Sequence, residues 1–165
     1  IYAIGDVAGG PWLAHVASHE GVLAAEHIAH VAKKMPKPHG MNYTNIPGCT
    51  YCTPQVASTG LTEAAAKAAG STLKIGRFNY QGNGKAQAIG ETAGLVKTIF
   101  DAKTGELLGA HIIGAEATEM ITTFVLGRHM EAVEADFFEA CLPHPTLSEM
   151  IMESALDSQG RVLNS

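Results

Sequence analysis

The chain has 165 residues, of which 46% are apolar and 16% charged; that is enough to bury a core without a metal or disulfide and excludes a disordered polymer. A net charge of -5 with no Lys/Arg-rich run argues against a nucleic-acid or anionic-membrane partner, and no uninterrupted apolar stretch approaches the ~20 residues of a membrane helix. Three cysteines, an odd number, are no disulfide framework and argue for a reducing compartment.

The chain opens on Ile1-Tyr2-Ala3-Ile4-Gly5-Asp6-Val7, which reads as a buried strand without a lead-in. No basic region precedes it, so it is not a signal peptide, and the expectation is a piece of a longer polypeptide. Gly9-Gly10-Pro11 is a turn, and Pro11 suits the start of a helix over about 12–34 with Leu13, Val16, Ala17, Leu23, Ala24, Ile28 and Val31 on one stripe. Met35-Pro36-Lys37-Pro38-His39-Gly40 breaks that pattern and is the best candidate boundary, separating 1–38 from 39–165. Strands are expected at 56–61, 73–80, 93–100 and 107–113, the last two joined as a hairpin through Asp101-Ala102-Lys103-Thr104-Gly105-Glu106. Thr62 caps a short helix at 63–69, a long helix follows at about 116–130, a short one at 134–140, and a last helix runs from Thr146 to about Leu156. The expected fold class is α+β, an antiparallel sheet with helices on one face.

Chemistry concentrates in Cys141-Leu142-Pro143-His144-Pro145-Thr146-Leu147-Ser148-Glu149. Two prolines hold His144 in an extended backbone. Thr146-x-x-Glu149 has the form of a capping box, which starts a helix at once and sets a carboxylate in its first turn. An imidazole on a rigid loop beside such a carboxylate has its tautomer fixed, as a general acid/base requires. The residues alone also admit a plain helix cap and an ordinary loop histidine.

The form HPTLSE, preceded by a helix and a cysteine, resembles the C-terminal signature of the pyridine nucleotide–disulfide oxidoreductases, and within that family it looks most like members that oxidise dihydrolipoyl groups. Ala3-Ile4-Gly5-Asp6-Val7 with Gly10-Pro11 and Leu13-Ala14-His15 is similar to the family's second flavin-contacting stretch. Pro54-Gln55-Val56-Ala57-Ser58-Thr59-Gly60-Leu61-Thr62 and Gly109-Ala110-His111-Ile112-Ile113-Gly114 resemble two further segments, in the family's order. The resemblance implies a flavoprotein homodimer that passes electrons from dihydrolipoyl groups, carried on the acyltransferase of a 2-oxo acid dehydrogenase complex, through a redox disulfide and FAD to NAD. It makes residues 1–38 the end of a FAD-binding domain and 39–165 a dimerisation domain, whose helix at 116–130 and C-terminal helix would meet a two-fold axis. Asp6 would contact the flavin's ribityl chain, and Trp12, Leu13, Ala14 and His15 would lie near its ring. His144 would take a proton from the dithiol in the neighbouring subunit's reaction centre, oriented by Glu149. The implied compartment is the cytoplasm, or the mitochondrial matrix in a eukaryote.

Trp12 stands where the family often has Met, Leu142 stands where many members have a further His, and Met150 stands where glutathione-type members tend to carry a second acid. No C-x-x-x-x-C pair and no glycine-rich dinucleotide motif occurs in these 165 residues. A glutathione-type or mercuric reductase, and a non-catalytic dimerisation module, are the alternative readings. Cys49-Thr50-Tyr51-Cys52 has no second C-x-x-C, His15/His19 and His27/His30 lack a third ligand, Asn83-Gly84-Lys85 reads as a glycine turn, and Met120, Met130, Met150 and Met152 read as core or interface filler. No metal site is expected.

Overall fold

The computed structural model describes residues 1–164. The chain divides into two units, one of residues 1–46 and one from Pro47 on.

The first unit contains a 3-10 turn at Gly5–Ala8, helix α1 at Ala14–Val31 and a 3-10 turn at Tyr43–Asn45. Ile1–Ile4 are not a strand: no described strand pairs with them, and an extended segment without a neighbour leaves its ladder groups unmatched. The α1 helix is shorter than the expected range of 12–34 at both ends. Leu13 is still extended, at φ −135°, and Lys33 turns left-handed, at φ +58°, which stops the helix before Lys34.

The second unit holds strands β1 (Gly48–Thr50), β2 (Gln55–Gly60), β3 (Leu73–Asn79), β4 (Leu95–Asp101) and β5 (Leu107–Gly114) in one antiparallel sheet of order β1-β2-β5-β4-β3. Its helices are α2 (Glu63–Ala68), α3 (Gly84–Ile89), α4 (Ala117–His129), α5 (Glu134–Phe138) and α6 (Glu149–Asp157). Thr62 caps α2 as expected, its hydroxyl oxygen accepting from Ala65 N–H at 3.1 Å. The β4–β5 turn is built by Asp101, whose Oδ1 accepts from the N–H groups of Lys103 and Thr104 at 2.8 and 3.1 Å. Gly105, at φ +82°, completes the turn; a side chain there would start 2.3 Å from Glu134 Oε2.

One sheet face packs α4 against β2 and β5, and α6 against β3 and β4. Val96, Phe100, Ala110, Ile112, Ile121, Phe124, Met150, Ile151 and Ala155 are buried between these layers. The α6 helix presses so closely on β3 that a Cβ added to Gly76 would lie 1.6 Å from the Ser154 carbonyl oxygen. On the other face Glu63, at the start of α2, meets Lys97 of β4 at 2.7 Å and Arg77 of β3 at 3.2 Å.

Candidate active site

The loop before α6 brings His144 and Glu149 together as their spacing predicts. Nδ1 of His144 lies 2.9 Å from Glu149 Oε1, and Glu149 Oε2 accepts the Thr146 N–H at 2.8 Å. Only half of a capping box forms. The Thr146 hydroxyl donates to Pro143 O at 2.8 Å instead of capping the helix, and α6 begins at Glu149 with Ser148 as its cap residue, later than the expected start at Thr146. Glu149 thereby spends one oxygen on the backbone and one on the imidazole.

Partial burial pushes the Glu149 carboxyl up, but the Thr146 N–H and His144 outweigh it and hold the group below the usual carboxylate range. The group is therefore ionised at neutral pH and can only accept, so the neutral imidazole must carry its hydrogen on Nδ1. Its Nε2 then bears the lone pair. The ring is open to reactants, with a side-chain exposure of 75%, against 21% for Glu149. A base fixed in one tautomer by a half-buried acid and presented at a surface can take a proton from an incoming donor.

The sequence treats Asn83 as part of a plain turn, whereas it helps position this loop. Asn83 is 4% exposed; its Oδ1 caps α3 by accepting from Ala86 N–H at 2.9 Å, and its Nδ2 donates to Thr146 O at 3.0 Å. An Asn ahead of a short helix-forming run that ends at Gly90 carries the capping signal, but its second bond spans 63 residues and has no local signature.

In the first unit, exposed Asp6 lies in the 3-10 turn Gly5–Ala8, and Trp12, Leu13, Ala14 and His15 form the approach to α1 and its first turn. No side chain caps that turn, and Trp12 is 75% exposed. An uncapped helix N-terminus offers N–H donors and a positive dipole end, which suits the carbonyl edge of an electron-rich ring. These residues fit one side of a flavin; none of them forms a dinucleotide phosphate cradle. Glu20 of α1, a residue the sequence reading passes over, is buried beneath the Asp6 turn.

The other candidate side chains lie elsewhere in the chain. Cys49, Cys52 and Cys141 are free thiols. Burial, with Glu119 adding to it, pushes the Cys49 thiol up and makes it a poor nucleophile. His27 Nδ1 pairs with the Tyr2 hydroxyl at 2.8 Å and His30 Nδ1 with Met35 O at 3.1 Å. Among the described residues no three His, Cys, Asp or Glu side chains group as a metal site, and no helix is long and apolar enough to cross a membrane. Met120 and Met150 are core residues, whereas Met130 is 69% exposed.

The five-stranded sheet, the helices on its face and the His–Glu loop agree with a match of residues 46–155 to the dimerisation domain of the pyridine nucleotide-disulphide oxidoreductases. The chain belongs to that family. Its relatives include dihydrolipoyl dehydrogenases of Rhizobium etli, 55% identical over 165 residues, and of Bacillus subtilis, 46% identical over 164 residues. The first alignment covers 100% of this chain and 34% of the relative, the second 99% and 34%. The chain thus spans about a third of the length of these relatives. Among solved structures, the HOCl-induced flavoprotein disulfide reductase RclA of Escherichia coli superimposes with a TM-score of 0.84 at 22% identity, over 93% of this chain and 34% of that one. LpdA of Mycobacterium tuberculosis gives 0.82 at 22% identity, over 93% and 32%. At that identity the likeness is one of fold.

Proposed function

We propose that the chain is the C-terminal part of a dihydrolipoyl dehydrogenase and supplies the dimerisation domain and the acid/base pair of a homodimer. In this reading residues 1–38 close the FAD-binding domain and 39–165 make the dimer contact. The observation that carries it is the His144–Glu149 bond at 2.9 Å beneath an exposed ring. A dithiol with an ordinary pKa of about 8.5 is a weak nucleophile until it loses its proton. His144 Nε2 receives that proton while Glu149 holds Nδ1–H and stabilises the imidazolium that results. FAD bound in the whole enzyme supplies the electron path from a redox disulfide to NAD. On this chain Asp6 and the stretch Trp12, Leu13, Ala14 and His15 at the start of α1 would hold one side of the flavin. The dihydrolipoyl group arrives on the acyltransferase of a 2-oxo acid dehydrogenase complex, and the homodimer places His144 in the neighbouring subunit's reaction centre. The 165 residues alone hold neither the disulfide nor a dinucleotide cradle and are expected to give no turnover of dihydrolipoamide with NAD.

In the full-length enzyme His144→Gln is expected to lower kcat about 10²–10⁴-fold, the usual worth of a positioned acid/base. Steady-state turnover of dihydrolipoamide checks this, with flavin content and dimer mass held equal. A loss under about tenfold removes the acid/base role. Failure of the unmodified enzyme to turn over dihydrolipoamide removes the substrate assignment.

A further inference from the structure

The 3-10 turn that carries Asp6 belongs to no sheet or long helix, so something else must hold its direction. Its C-terminal end is closed by Gly9 N–H donating to Asp6 O at 3.2 Å. One carboxylate does the holding. Glu20, on α1, is 9% exposed. Its Oε2 accepts the Gly5 N–H at 2.6 Å, at the residue just before Asp6, and its Oε1 accepts the Tyr43 hydroxyl at 2.7 Å. Three stretches of the first unit, 5–8, α1 and 43–45, therefore converge on a single side chain. The approach is close: Gly5 sits at φ +66°, and a Cβ there would lie 3.2 Å from the Ala17 Cβ.

Both Glu20 oxygens are committed to donors, so the carboxylate has one useful orientation and passes it to the peptide ahead of Asp6. The Tyr43 hydroxyl and then the Gly5 N–H hold this carboxyl below its ordinary range against burial, which raises it. An acid kept ionised accepts two charge-assisted hydrogen bonds, each stronger than a neutral one. A glutamate that merely solvated the helix would need neither.

We propose that Glu20 is a positioning residue of the flavin site: through Gly5 it aims Asp6 relative to the first turn of α1, and Tyr43 locks it in that pose. This rests on the reading of Asp6 as a flavin contact. Glu20 itself does not touch the cofactor.

The test uses the full-length holoenzyme and two readouts besides turnover. Flavin fluorescence follows FAD release, and amide exchange follows Gly5–Ala8 separately from 47–164. Glu20→Ala is expected to weaken FAD retention about tenfold or more and to speed exchange at Gly5–Ala8, with 47–164 unchanged. Glu20→Gln is expected to recover most of the retention, since its amide oxygen still accepts from Gly5 and its NH2 can donate to the Tyr43 oxygen. A general loss of packing would not be rescued in this way. Tyr43→Phe is expected to speed exchange at Gly5–Ala8 and to weaken retention by a few-fold. Asp6→Ala is the reference. If Asp6→Ala sheds FAD and Glu20→Ala keeps it within about twofold of the parent, the positioning role fails and the reading of Asp6 stands. If Asp6→Ala keeps FAD, that reading fails and the role of Glu20 falls with it. Should Glu20→Ala not fold, Tyr43→Phe decides: unchanged retention together with unchanged exchange at Gly5–Ala8 overturns the proposal.

Discussion

His144 shows how few contacts fix the orientation of an exposed side chain. Two prolines remove backbone freedom on either side, and Glu149 leaves the ring one tautomer. What the local sequence does not supply is the anchor of the loop's far end, which is the Asn83 side chain on the Thr146 carbonyl at 3.0 Å. Asn83→Ala removes a helix cap and leaves that carbonyl without its donor. Urea unfolding is expected to show a loss of about 1–2 kcal/mol. In the full-length enzyme kcat is expected to fall while flavin content is unchanged, because the loop and not the cofactor site is loosened. Unaltered stability and unaltered kcat would both have to be seen to dismiss the contact.

At the scale of elements, charges tie the first turn of α2 to the strands beside it. Glu63 meets Lys67 of its own helix at 2.7 Å, Lys97 of β4 at 2.7 Å and Arg77 of β3 at 3.2 Å. The Lys67 and Lys97 ammonium groups hold its carboxyl down at about 2, against an ordinary 4.5. A depressed folded value means that the stabilisation is complete above pH 4.5 and disappears as pH falls toward 2. Glu63→Gln should therefore be less stable than the parent at neutral pH and should show a flatter loss of stability between those limits. Thermal midpoints across that range measure it, and parallel curves for the two proteins would show that the cluster carries no linked proton. The element ends follow the same local logic. Lys33 at φ +58° stops α1 before the expected end at Lys34, and the Thr146 hydroxyl, turned to Pro143 O, delays α6 to Glu149.

For the whole molecule, membership of the dimerisation-domain family makes the oligomeric state the natural test of the proposed role of His144. If His144 serves a neighbouring subunit, turnover per full-length chain should be constant at high concentration and should fall in step with dimer dissociation on dilution. Light scattering and turnover measured on the same dilution series check this, and full activity in the monomer would contradict catalysis across the interface. The positions of β2 to β5, the hairpin of β4 and β5, the cap at Thr62 and the pairing of His144 with Glu149 were all legible in the sequence. Each depends on residues a few positions apart or on a two-residue or 3.6-residue rhythm. The strand expected at Ile1–Val7 was not observed, because an apolar run becomes a strand only when a partner edge is beside it. Asn83 reads as a turn residue in the sequence because its partner at Thr146 is 63 residues away.

By itself the sequence determined the short-range chemistry: which carboxylate faces which imidazole, and where turns and caps must fall, since backbone stereochemistry and side-chain reach act over one turn of chain. Only the tertiary structure decided which polar groups are buried and what holds them. Glu20 looks like any solvent-facing helix residue until Gly5 and Tyr43, 15 and 23 residues away, close over it. Long-range burial sets the cost of leaving such a group unpaired, and that cost has no expression in local spacing.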